Sequence, residues 1–260
     1  SLTRISYDFS KSELTFLKFL KYRFTLNADY HGSDSNIFYA LNNRTAQLFI
    51  LNNRNEIIYQ KSTSSARLRF SIESRINYNG MDLRGWQDKR SDIFRIDSQI
   101  PLIKDYFIKY DLNLHRFSLS AGNNYTLPRN VAGYYHELGL KKASLKNFQY
   151  EVKAVYYIDN ASSELFRRDV SALGLKGDFV KFLNNNGRID CRIDFFDANG
   201  FDGMPAEALK GISSDKTIRA NLSSSVMIDR SLSINTSIIY TDSERYSGFF
   251  QIVGELRAYF

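Results

Sequence analysis

The sequence predicts an all-β protein, an up-and-down antiparallel β-barrel, and three observations predict it. Apolar and polar residues alternate with a period of two over long stretches, as in strands whose two faces meet different surroundings. The chain holds 17 Tyr and 20 Phe but 3 Pro and one Trp, a mixture that favours strands over helices. Short turns, at Asn184 to Gly187, Asp229 to Ser231 and Lys142 to Lys146, alternate with longer polar connections at Gly200 to Thr217 and Asp242 to Gly248.

The elements follow in order. Leu20, Tyr22, Phe24, Leu26, Ala28 and Tyr30 alternate with Lys21, Arg23, Thr25, Asn27 and Asp29. The stretch LFILNNRNEIIYQ reads as a hairpin turning at Asn52 to Asn55, although its apolar run breaks the alternation. Leu68, Phe70, Ile72, Ile76 and Tyr78 then oppose Arg67, Arg69, Ser71, Glu73 and Arg75. Phe148 to Ile158, Ile189 to Phe195 and Leu232 to Tyr240 repeat the pattern, and Phe250, Ile252, Gly254, Leu256, Ala258 and Phe260 carry it to the last residue. Roughly ten residues per strand suit a tilted crossing of a bilayer. We count about 12 strands, within roughly 10 to 14, since bacterial single-chain barrels are usually even-numbered. No Pro- or Ser-rich linker divides the chain, so residues 1–260 are read as a single domain.

Composition removes several classes of function. The net charge of +7 would suit nucleic acid only if the basic residues clustered, and they are interspersed with acidic ones. A lone Cys191 excludes an intrachain disulfide and a cysteine-rich zinc site. No run is apolar and long enough for a transmembrane helix. The chain opens on Ser1 without a charged and apolar leader, as a mature product or an excised fragment would.

Two architectures use such strands. A soluble sandwich or small barrel turns the apolar face inward, whereas a membrane barrel turns it out to lipid. Strand length, aromatic residues at the ends of apolar rows (Tyr22 and Tyr30, Tyr78, Phe148 and Tyr156, Phe250 and Phe260) and the aromatic terminus within the alternating pattern favour the second. The ending Gly254-x-Leu256-x-Ala258-x-Phe260 resembles the C-terminal signal of bacterial outer-membrane β-barrels, with Ala258 smaller than the aromatic often found at its place. The resemblance implies an outer-membrane location in contact with the lipid bilayer, recognition of the last strand by the barrel-assembly machinery, and closure against the first strand.

In that arrangement the polar faces line a lumen. Its candidate pore-lining residues are Arg67, Arg69, Glu73, Arg75, Lys109, Lys153, Arg188, Arg192 and Arg219, with cations in modest excess over the acidic residues of the same faces. Arg67, Arg69 and Arg75 form a ladder with Glu73 alone beside them on their strand. A basic lumen focuses a field that draws anions. The expected function is therefore a porin-like channel for small, preferentially anionic solutes, similar to the monomeric acidic-oligosaccharide porins. The alternatives are a structural barrel filled with Arg–carboxylate pairs, acting with other envelope proteins in a larger complex, and a surface lipid hydrolase.

Catalysis has little support. His136 and Glu137 are adjacent and point to opposite faces of a strand, as do His115 and Ser118. His31 and Ser33 share a face in HGSD, a distant likeness to the His-x-Ser-Asn of outer-membrane lipases in which Asp34 replaces the Asn. The run from Asp197 to Gly203 offers clustered oxygen atoms without the spacing of a calcium loop. We expect no enzyme, cofactor or metal site.

Overall fold

In a computed structural model the backbone is described for residues 2–17, 19–35, 44–62, 65–81, 85–122, 127–143, 148–183, 187–201, 204–212, 215–227, 232–243 and 246–258. Side chains are described for these residues except 2–17, 31–35, 44–47, 81, 85 and 246–247. The strands are β1 (Leu2–Leu17), β2 (Leu20–Ser35), β3 (Arg44–Gln60), β4 (Arg67–Met81), β5 (Gly85–Ile103), β6 (Tyr106–Ala121) and β7 (Arg129–Lys142). They continue as β8 (Phe148–Ser163), β9 (Arg167–Leu183), β10 (Gly187–Asn199), β11 (Asp215–Met227), β12 (Leu232–Ser243) and β13 (Tyr246–Ala258), with a 3-10 turn at Ala208–Gly211 before β11. They form one 13-stranded sheet in sequence order, each strand antiparallel to the next.

The described strands number 13, within the expected range of about 10 to 14. Three expectations change. Among the described residues the ladder runs from β1 to β13 without pairing these two edges, and Phe260 lies outside them. The hairpin at Asn52 to Asn55 does not form: β3 runs through it, with Asn55 opposite Phe24 on one side and Ile72 on the other. Sheet pairing on both sides overrides local turn chemistry there. Asp242 to Gly248 is no long loop either, because β12 reaches Ser243 and β13 begins at Tyr246.

The strands are also longer than the expected ten residues, from 12 in β12 to 19 in β5. What comes near the expected length is the outward, mainly apolar band within them: Phe94 to Leu102 on β5, Tyr106 to Leu114 on β6, Phe148 to Ile158 on β8, Leu173 to Phe179 on β9. Within it Ile100, Leu102, Leu138, Leu173 and Leu175 are each more than half exposed, an apolar surface far beyond what a protein in water leaves open. Tyr106, Phe148, Tyr150 and Phe179 cluster at its edge with ring centroids 5.9–6.4 Å apart. That edge lies near the Lys104–Asp105 turn, where Asp105 takes the positive φ that short polar side chains tolerate.

Towards the opposite end, which carries the β10–β11 connection and is here termed the loop end, the outward face turns polar. Arg90 pairs with Asp88 at 2.8 Å, Ser74 with Asp92 at 2.7 Å and Asn160 with Asp169 at 2.7 Å. The inward face turns apolar over the same stretch. Val131 and Tyr135 of β7, Val155, Tyr157 and Ala161 of β8, Val170 and Ala172 of β9 and Phe196 and Ala198 of β10 form a buried core. Gly174 gives the Phe196 ring its space, since a Cβ there would meet the ring at 2.6 Å and the Phe195 carbonyl at 2.3 Å.

Candidate functional site: a lumen narrowed by the β10–β11 segment

The long connection between β10 and β11 folds inward. Its Ala208, Leu209 and Ile212 are buried in the core against β8 and β9. Leu209 and Lys210 both adopt positive φ, of 50° and 56°, which costs about 1 kcal/mol or more for each non-glycine residue. Strain of this kind persists where the surroundings over-determine it. The Leu209 amide donates to Oδ2 of the fully buried Asp159 at 2.6 Å, which also accepts from the Tyr135 hydroxyl at 2.7 Å. Nε2 of His115 lies 2.9 Å from the other carboxylate oxygen, and the His115 ring stacks on Tyr135. Opposite Asp159, Gly133 leaves the space that a Cβ would take, 2.0 Å from Oδ1.

Lys210, at the tip, reaches Glu137 of β7 at 2.8 Å. Glu137 also accepts from Lys176 at 2.9 Å, Lys153 at 3.2 Å and the Tyr157 hydroxyl at 2.6 Å. Three ammonium groups thus converge on one carboxylate. Burial pulls the Lys210 ammonium below the ordinary lysine range, and Glu137 only partly restores it. Two further ties hold the segment: Arg129 makes a two-pronged ion pair with Glu207 at 3.1 and 2.9 Å, and Arg219 donates to the Gly211 carbonyl at 2.7 Å.

Below the tip is a polar cavity of about 330 Å³ lined by Arg69, Arg95, Asp97, Lys109, Asp111, Asn113, Tyr135, Glu137 and Lys210. Of the pore-lining residues read from sequence, Arg69 and Lys109 border it. The idea of a bare cationic ladder needs correction. Arg67 pairs with Asp97 at 2.7 Å, and Arg69 lies 3.7 Å from Asp97 and 3.8 Å from Glu56. The carboxylates come from neighbouring strands, which a reading along one strand cannot see. Lys109 and Lys153 share Glu151 at 2.9 and 2.8 Å, and Lys153 also reaches Asp111 at 3.1 Å. Arg192 pairs with Asp194 at 3.1 Å and Arg188 with Asp190. Glu73 and Arg75 share the inward register, and among the described residues no ion pair reaches them.

His136 faces outward, its Nδ1 2.8 Å from the Tyr110 hydroxyl, while Glu137 faces the lumen. The side chains of His31 and Ser33 and residues Asp202 and Gly203 lie outside the described set. Gly254, Leu256 and Ala258 sit on β13 opposite Thr236, Ile234 and Leu232. Sequence reading missed Arg95, Asn113, Tyr135, Lys176 and Lys210 as lumen residues. One signal is present in the sequence: MPAEALKGI places the apolar Ala208, Leu209 and Ile212 in an otherwise polar connection.

No protein-family model matches the sequence, and no curated protein matches it. Among solved structures, the chain is similar to CdiB from Acinetobacter baumannii, with 12% identity and a TM-score of 0.54, over 99% of this chain and 53% of that one. It thus spans about half of CdiB. It also aligns with the translocator domain of the autotransporter NalP from Neisseria meningitidis, with 11% identity and a TM-score of 0.45, over 93% and 88% of the two chains. The likeness to CdiB is one of fold.

Proposed function

We propose that this chain is an outer-membrane β-barrel that forms a narrow, loop-constricted channel for small, preferentially anionic solutes. The observation that carries the reading is the β10–β11 segment, which enters the lumen and sets Lys210 above a polar cavity bordered by Arg69, Arg95 and Lys109. Four cations face three carboxylates around that cavity, a balance that favours anions. The outward apolar band and the fold shared with CdiB support the membrane placement.

A second reading has its own observation. The ion pairs of Arg67, Arg69, Lys109, Lys153 and Arg192 are those of a lumen filled for stability. Planar-bilayer conductance separates the two. The channel reading expects a small conductance with more anion than cation permeation, and a severalfold rise when residues 204–212 are replaced by a short Gly-Ser linker. Absence of current from both proteins would leave the filled barrel as the function.

A further inference from the structure

We propose that Arg95 and Asn113 form a subsite for a small 2-hydroxycarboxylate on the floor of the lumen cavity. This rests on the reading of the lumen as open to solutes. Arg95 and Asn113 are register partners on β5 and β6, so their side chains stand side by side on the inward face. Among the described residues no ion pair or hydrogen bond reaches Arg95, and the register explains why. Its lateral neighbours, Ser71 and Asn113, are neutral. The nearest carboxylate on its own strand, Asp97, is taken by Arg67 and Arg69. Lys210 overhead adds a second positive charge rather than a counter-ion.

Asn113 supplies the complementary gap. Its Oδ1 is buried and has no hydrogen-bond partner among the described residues. A buried acceptor without a donor calls for one, and a small turn of the Asn113 amide towards the cavity it lines would offer that oxygen to a hydroxyl. The planar guanidinium of Arg95 matches a carboxylate with two parallel hydrogen bonds. A hydroxyl on the adjacent carbon would then reach Asn113.

The test uses the full chain in detergent with lactate as probe, beside propionate, which lacks the hydroxyl, and lactamide, which lacks the charge. Titration calorimetry should show saturable lactate binding, weaker propionate binding and no lactamide binding. Arg95→Gln should weaken lactate about 10- to 100-fold, in keeping with loss of a charged hydrogen-bond donor. Asn113→Leu should leave propionate binding unchanged and reduce the lactate preference about fivefold. Arg116→Gln, on the outer wall, should bind as the wild type does. Bilayer recordings with lactate as the permeant anion separate this proposal from the reading beneath it. Saturable binding without current would uphold the subsite and overturn the channel. Anion current without saturable lactate binding would overturn the subsite and leave the channel standing. Loss of both overturns both, and a lactate preference that survives Asn113→Leu removes the assignment of the hydroxyl contact.

Discussion

Along β8 the strand geometry stays constant while its two faces exchange roles. Near the turn with β7, Phe148 and Val152 face outward and are exposed, and Glu151 and Lys153 face the lumen in ion pairs. Near the loop end, Asn160 faces outward and bonds Asp169, while Tyr157 and Ala161 are buried inside. β7, β9 and β10 make the same exchange. Alternation therefore marks the phase of a strand, and the surroundings decide which phase is apolar. Within a lipid-facing band the outer face is oily; beyond it the strands behave like those of a soluble sheet and need a core, which the β10–β11 segment completes.

The largest effect should come from removing that core. Phe196→Ala deletes a buried ring packed against Tyr157 and should cost about 3–5 kcal/mol. Leu173→Ala, on the outer face of the adjacent β9, should cost far less, because lipid closes over the missing atoms and leaves no cavity. Guanidinium unfolding of the barrel in detergent micelles compares the two. Equal losses would mean that the loop end has no packed core of its own.

Exchanging polarity on one strand sharpens the comparison. Leu138 and Ala132 both face outward on β7, six positions apart in the sequence. Leu138→Arg places a cation in the apolar band and should cost about 2–4 kcal/mol. Ala132→Arg falls in the polar part and should stay within about 0.5 kcal/mol of the wild type. Refolding yield into lipid vesicles measures both, and an equal penalty would extend the lipid-facing band to the loop end.

The meander and its facing were legible because the polar and apolar residues of β2, β4, β8, β10 and β12 repeat with period two, which needs no knowledge of neighbours. The exchange of faces was partly legible as well. Val155 and Tyr157 already stand on the otherwise polar row of β8. The ion pairs were not legible, because Arg67 meets Asp97 across 30 residues of sequence and only the register between β4 and β5 brings them together. The inward segment was hidden for a related reason. Its apolar residues follow neither a helical nor a strand period, since they sit in a turn shaped by its contacts. Arg95 became a candidate only once its neighbours were known to be neutral or already paired.

The smallest effect concerns the tie that holds the segment at its outer end. Burial alone would raise the Glu207 carboxyl, but its two hydrogen bonds from Arg129 and the positive charges of Arg129 and Lys89 outweigh burial and hold it below the usual carboxylate range. A carboxyl lowered in the folded state contributes stability that is fully present above its unfolded value of about 4.3 and is lost as pH falls through the lower folded value. Both partners remain partly exposed, so the contribution is about 1 kcal/mol or less. Leu209 offers the readout, because its amide donates to Asp159 only while the segment is docked. At pH 6, hydrogen exchange at that amide should be up to about fivefold faster in Glu207→Gln than in the wild type. As the pH is lowered past 4 the wild type should approach the variant, each corrected for intrinsic exchange. Other carboxylates titrate over the same range in both proteins, so the convergence isolates Glu207. Equal protection at pH 6 would show that Arg129 and Glu207 are a surface pair with no hold on the segment, leaving Asp159 and Glu137 to dock it alone.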